Sequence, residues 1–426
     1  MNTVIGEAQS AFLGGRNILD GVLIAKEVMD WWKSKSKRGL LIKIDFEKAY
    51  DSINWKFLLK MMKFLGFGNK WIKWMDECIT TARSSVLING SPTEEFKLEK
   101  EVRQGDPLSP FLFLMVAEAL NRLMDRAKEL GLIKGASVGQ SNFSISYLQF
   151  ADDTILFCEV DVTEVTNIKR ILRCFEVMSG MKVNFHKSGI CGVGIENEIL
   201  DRCAGILRCK KQRLPMKYLG LPLGVSPRRQ AMWKLVIELI KKRLSSWKKR
   251  FLSFGGRLVL IKSVISSLPV YYMSLFKMPE RVAKCIERIQ ATFLWGGDDA
   301  NRKIHLISWD KIIRGKDRGG LDVRNIKIMN ECLLCKWHWR FGAKYGALWK
   351  KLICSKYDME LSEWSSIEIS DAAFVKVRLS QLIMCFCIVM CWNFLINMDA
   401  RVQEGLSHKR DTAFRILGML LVLNLG

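Results

Sequence analysis

The chain has 426 residues, and its 67 Lys and Arg outweigh 43 Asp and Glu to give a formal net charge of +24. Hydrophobic residues make up 49% of it, which excludes a disordered basic tail, and the length points to two or three domains. The charge excludes an acidic, solvating chain and points to a polyanionic partner, nucleic acid first.

From the N-terminus, "MNTVIGEAQS" lacks the basic-then-apolar pattern of a secretory signal. Apolar residues at helical spacing predict a helix from about Asn17 to Lys33. "GLLIKIDF" reads as a buried strand that ends on Asp45, and "WKFLLKMMKFLGFG" as a helix stopped by Gly. "SSVLINGSPTEEFKLEKEV" reads as a hairpin around "NGSP". A long helix follows, with Ser109 as its expected cap and Pro110 at its first position. "FSISYLQF" and "TILFCEV" read as two strands, and "VTNIKRILRCFEVMSG" as a helix. Helices interleaved with a few antiparallel strands describe an α+β fold rather than a βαβ wheel.

From Arg208 to Arg257 there are 15 Lys or Arg against one acid, Glu238, with Trp233 and Trp247 interleaved. That combination suits a phosphate backbone. The 13 Cys have no regular spacing and sit mostly in apolar stretches, the habit of a reduced intracellular protein. Cys332, Cys335 and His338 lie close together in the chain, but zinc needs four ligands, so one face of a buried helix is the expected reading. "LIMCFCIVMCWNFLI" has 15 residues, short of the ~20 that span a bilayer, so no membrane partner is expected.

The chemistry concentrates in "YLQFADDTILF", where Asp152 and Asp153 stand side by side between apolar runs. Two adjacent carboxylates are unfavourable unless both face water or something positive sits between them. Asp45 supplies a third carboxylate from a neighbouring strand. Three such groups can hold two divalent ions, and hard oxygen ligands select Mg2+ or Mn2+. Paired metals of this kind serve in-line phosphoryl transfer, and in a basic chain the natural reaction is nucleotide addition to a primer end. In "EVRQGDPLSPFLF", Gly105 gives the backbone access to a ligand, and Arg103 and Gln104 are donors suited to a phosphate or a base edge.

Taken together, "AQSAFLGGRNILDG", "IDFEKAYDSINW", "RQGDPLSP", "FADDTILF", "SGMKVNFHKSGI" and "YLGLPLG" resemble, in this order, the motifs of reverse transcriptases of non-LTR (LINE-type) retrotransposons, those of plants in particular. The resemblance runs from about Ile5 to Tyr357. It implies a polymerase right hand with an antiparallel palm sheet, partial fingers, a helical thumb and a mostly helical C-terminal region. Residues 1–205 would form partial fingers and palm, 206–268 primer grip and basic thumb, and 269–360 a LINE-specific downstream region, with 361–426 unassigned.

Position by position, the resemblance makes Asp45, Asp152 and Asp153 catalytic metal ligands. It puts Tyr50 under the incoming sugar, with Arg103, Gln104 and Gly105 along template and nucleotide. Lys187 would stand near the triphosphate as a proton donor to pyrophosphate, and Leu219 and Gly220 would hold the primer end. The implied partners are an RNA template, a DNA primer and deoxynucleoside triphosphates, with no small-molecule cofactor, and the implied place of work is the nucleus. Members of the family carry more fingers sequence upstream and an endonuclease domain, so the chain reads as a fragment. An inactive nucleic-acid-binding remnant and a group II intron maturase are the alternatives.

Overall fold

A computed structural model describes residues 1–98, 100–226, 230–247, 252–296, 306–343 and 346–359. These divide into two compact units, one made of Met1–Met232 with the helix Leu348–Tyr357, the other of Trp233–Arg340.

The first unit is built on a five-stranded sheet whose central strand, Gly39–Ile44, is the apolar run before Asp45. It pairs antiparallel with Asp153–Cys158 on one side and with Gly189–Val193 on the other. Tyr147–Phe150 closes one edge antiparallel, and Lys210–Lys211 closes the other in a parallel pairing. The apolar run, interrupted only by the half-buried Lys43, has its physical reason in a sheet covered on both faces. Leu40, Ile42, Ile44, Leu156 and Cys158 join the core with Phe113, Leu172 and Phe175 of the helices Ser109–Glu129 and Val162–Ser179. The alternate residues face the helix Ile18–Ser34, where Trp32 meets Phe157 edge-on at 6.2 Å.

That helix starts where the sequence sets it. The Asn17 side chain accepts from the Leu19 N–H at 2.9 Å, and Asp20 accepts from the Asn17 N–H at 3.1 Å. It is buried almost all round, with charged groups inside. Glu27, 1% exposed, accepts from Lys356 Nζ at 2.6 Å, from Lys26 Nζ at 3.3 Å and from the Tyr357 hydroxyl at 3.3 Å. Desolvation pushes the Glu27 carboxyl up, but the two lysines outweigh it and hold its pKa below the usual value.

Three local expectations need correction. Ser109 is not the cap of its helix; it is the first helical residue, preceded by Leu108. Asp106 takes the turn instead, accepting from the Leu108 N–H at 2.8 Å, while the Ser109 hydroxyl donates to the Arg103 carbonyl at 2.5 Å. "FSISYLQF" is two strands, since Phe143–Ile145 pairs with Ala136–Val138 and only Tyr147–Phe150 joins the large sheet. Trp233 is no stacking platform: it lies fully buried with Val236 and Ile240 on the apolar stripe of the helix Gln230–Ser246, which leaves Lys234, Lys241, Lys242 and Arg243 exposed. The "NGSP" hairpin is present, with Leu87–Ile88 paired to Ser91–Pro92 and both turn residues, Asn89 and Gly90, at positive φ.

In the second unit the buried Asn330 organises a turn, donating to the carbonyls of Met273 and Phe276 at 2.8 and 2.9 Å and accepting from the Met278 N–H at 2.8 Å. Trp337 donates to the Ser274 carbonyl at 2.7 Å. Cys332, Cys335 and His338 lie on the helix Ile326–Ala343, and among the described residues no three His, Cys, Asp or Glu side chains converge as a metal cage. No helix of the described residues is long and apolar enough to cross a membrane. "LIMCFCIVMCWNFLI" lies outside the described residues.

Candidate active site

The acid pair sits at a two-residue turn. Asp153 pairs with Phe150, so Ala151 and Asp152 form the bend, and Ala151 takes a left-handed φ of 53°. Left-handed backbone costs a non-glycine residue roughly 1 kcal/mol or more, so this bend persists only if its surroundings hold it. Ile44 stands opposite Thr154. Asp45 therefore leaves the central strand beside the turn, as the sequence predicts for a third carboxylate.

Asp45 is fixed through its backbone. Its N–H donates to the Ser188 hydroxyl at 3.1 Å, and its carbonyl accepts from the Asn184 N–H at 2.7 Å. Ser188 in turn donates to the Asn184 carbonyl at 2.8 Å. Asn184 also shapes the turn that carries Lys187, whose N–H donates to the Asn184 side chain at 3.0 Å. The Lys187 side chain is exposed and lines a groove of about 1750 Å3 with Lys48, Asp51, Lys100 and Asn184. Asn184 and Ser188 were not singled out in the sequence; their one signal is their place in the string "NFHKSG" after a helix.

The electrostatics tie the carboxylates together. Asp152 stands at the exposed tip, but protein flanks its carboxyl, and this partial desolvation raises its pKa. The charges of Asp153 and Asp45 push the same way, and Lys43 opposes them. Tyr50 is half-buried; burial raises its phenol pKa and the Asp152 charge adds to the shift. Its ring stacks on Phe113 at 4.7 Å, so Tyr50 stands beside Asp152 on a packed base.

The donor set suits a divalent cation: oxygen only, with like charges gathered at one sheet edge. The three carboxylates do not, however, close on a single point. Asp153 Oδ1 forms an ion pair with Lys43 Nζ at 3.3 Å.

The remaining predicted residues lie in two places. Arg103, Gln104 and Gly105 are exposed in the loop before the long helix, with Gly105 at φ 92°, a conformation that favours glycine. The Gln104 amide donates to Asp51 Oδ1 at 3.0 Å, and the Val102 N–H donates to the Tyr50 carbonyl at 2.9 Å, which links this loop to the segment after Asp45. Leu219 and Gly220 form the turn of the hairpin Met216–Tyr218 and Leu221–Leu223, both at positive φ. The structure therefore brings Asp45, Asp152, Asp153 and Tyr50 together. Arg103, Gln104 and Gly105 stand on the adjoining loop, and Leu219 and Gly220 on a hairpin of their own.

A largely antiparallel sheet thus presents aspartates at the end of its central strand and at the adjoining hairpin turn. The family model described as reverse transcriptase (RNA-dependent DNA polymerase) matches residues 1–223, more than half of the chain. The chain belongs to that family. The uncharacterized 149 kDa protein of transposon TX1 from Xenopus laevis is 27% identical over 304 residues, covering 69% of this chain and 22% of that protein. A retrovirus-related Pol polyprotein from a type-1 retrotransposable element R2 of Popillia japonica is 26% identical over 221 residues, covering 49% of this chain and 30% of the polyprotein. An uncharacterized mitochondrial protein of Arabidopsis thaliana is 44% identical over 68 residues, 16% of this chain and 56% of that one. The chain thus spans about a fifth to three-tenths of the two long relatives. Among solved structures, telomerase from Candida albicans in complex with a TWJ fragment of telomeric RNA aligns at TM-score 0.42 and 11% identity, covering 79% of this chain and 52% of that one.

Proposed function

We propose that this chain carries the RNA-directed DNA polymerase of a non-LTR retrotransposon. The observation that carries the reading is the placement of Asp45, at the end of the central strand, beside the hairpin turn that bears Asp152 and Asp153. In this reading Asp45, Asp152 and Asp153 hold Mg2+ or Mn2+. A divalent cation held there would acidify the primer 3′-hydroxyl and offset charge on the leaving pyrophosphate. Tyr50, braced by Phe113, supports the incoming deoxynucleotide's sugar and excludes a 2′-hydroxyl. Arg103, Gln104 and Gly105 line template and nucleotide, Lys187 gives a proton to pyrophosphate, and the Leu219–Gly220 turn holds the primer. An RNA template, a DNA primer and deoxynucleoside triphosphates are the partners, and the nucleus is the place of work.

The net charge of +24 also fits a second reading, a remnant that binds nucleic acid without turnover. Primer extension on poly(rA)/oligo(dT) with Mg2+ separates the two. The polymerase reading expects dTTP incorporation by the parent and none by the Asp152→Ala, Asp153→Ala double variant. Salt-sensitive template binding without incorporation by the parent establishes the remnant.

A further inference from the structure

The bend that presents Asp152 is held from outside its own hairpin, by a residue 142 positions earlier in the chain. Gln9 is 2% exposed. Its Oε1 accepts from the Ala151 N–H at 2.9 Å and its Nε2 donates to the Ala151 carbonyl at 3.3 Å. One side-chain amide thus satisfies both backbone groups of the residue in the left-handed conformation. The same Oε1 also accepts from the Ala11 N–H at 3.1 Å.

The segment that carries Gln9 is itself anchored. Gln9 forms a parallel bridge with Gln149, the Gln149 N–H donates to the Ala8 carbonyl at 2.9 Å, and the Ser10 N–H donates to the Gln149 carbonyl at 2.9 Å. The Arg16 guanidinium donates to the carbonyls of Gln9 at 2.6 Å and Ile5 at 2.8 Å. A second clamp grips the turn from within the hairpin: Gln149 Nε2 donates to Thr154 Oγ1 at 3.1 Å, and Thr154 Oγ1 donates to the Asp152 carbonyl at 3.3 Å.

We propose that Gln9 is a positioning residue for the polymerase site: its amide fixes the Ala151 backbone and so aims the Asp152 carboxylate. Only an amide gives a donor and an acceptor at this reach. A carboxylate keeps the acceptor and loses the donor, and an apolar chain of the same length loses both. The inference rests on the polymerase reading above for the role of Asp152, so its test needs a readout other than turnover. Outer groups that orient a ligand typically change metal affinity by about 10–100-fold when removed.

The test is Mn2+ titration of the full chain by electron paramagnetic resonance, without nucleic acid. The parent is compared with Gln9→Met, Gln9→Glu, Ser10→Ala and Asp152→Ala. Ser10→Ala is the structural control, because it removes only a bond from the same segment to the Gln149 carbonyl. The expected result is Mn2+ affinity at least about tenfold weaker in Gln9→Met, with Ser10→Ala like the parent. In primer extension, kcat falls in Gln9→Met while the KM for dTTP moves little. Should Gln9→Met fail to fold, Gln9→Glu, which keeps both accepted N–H bonds, carries the comparison.

Folded Gln9 variants that bind Mn2+ like the parent overturn the positioning role. A parent with no Asp152-dependent Mn2+ binding overturns it as well. A parent that binds Mn2+ through Asp152 yet incorporates nothing overturns the polymerase reading and leaves Gln9 as the residue that aims Asp152.

Discussion

The turn that carries Asp152 and the loop that carries Gln104 are held in opposite ways. At the turn, the Ala151 backbone is gripped by a buried amide, the Asp152 carbonyl accepts from Thr154, and Asp45 next door is tied at both its N–H and its carbonyl. The loop is exposed from Arg103 to Pro107, and the Gln104 side chain makes an exposed bond to Asp51. The difference teaches where this site keeps its rigidity. Charge must be placed before the reaction, because reorganising dipoles during it costs barrier. Groups that meet template or nucleotide can order when those arrive, so an open loop serves them.

The comparison breaks most visibly at the carboxylates. Asp152→Ala should lower incorporation on the order of 10^3-fold, several kcal/mol of barrier, with primer–template binding retained. A single-turnover assay paired with a gel shift reads both quantities.

The next effect is on stability. Glu27→Gln takes the charge of Glu27 from the largely buried Lys356 side chain and from Lys26, which also pairs with Asp30 at 3.3 Å, and breaking such a buried pair typically costs about 3–5 kcal/mol. The pH dependence has a definite sign. The folded-state pKa of Glu27 lies below its unfolded value, so its contribution is present above about pH 4.3 and is lost as pH falls through the folded value. Denaturation midpoints followed downward from pH 6 should fall in the parent and flatten in Glu27→Gln.

A smaller, sharper change belongs to Tyr50. Its ring is stacked on Phe113, so Tyr50→Ala should admit ribonucleotides about tenfold more readily relative to deoxynucleotides. The ratio of kcat/KM values for UTP and dTTP measures it. The smallest structural effect is at the loop: Gln104→Ala should change stability by no more than about 0.5 kcal/mol while raising the KM for dTTP.

The same division explains what the sequence reveals. The strand Gly39–Ile44, the bend at "ADD" and the Asn17-capped helix are local patterns, and each is found at its expected place. The grouping of Asp45 with the acid pair is legible too, since each ends or begins a strand of a single sheet. The clamp is not legible. Gln9 sits in a segment with no periodicity, and its partner Ala151 is 142 positions away. The same holds for the pairing of Asp153 with Lys43, which depends on the register between two strands rather than on spacing within one. Ser109 misleads for the opposite reason. Ser before Pro-Phe-Leu is a good cap pattern, but Asp106 three residues earlier takes the turn first.

The most direct measurement is single-turnover dTTP incorporation on poly(rA)/oligo(dT) for the parent, Asp152→Ala and Gln104→Ala, with primer–template affinity measured on the same preparations. The account predicts that Asp152→Ala binds like the parent and does not extend, while Gln104→Ala extends with a raised KM. Extension by Asp152→Ala at the parent's rate, or equal losses in both variants, would contradict it.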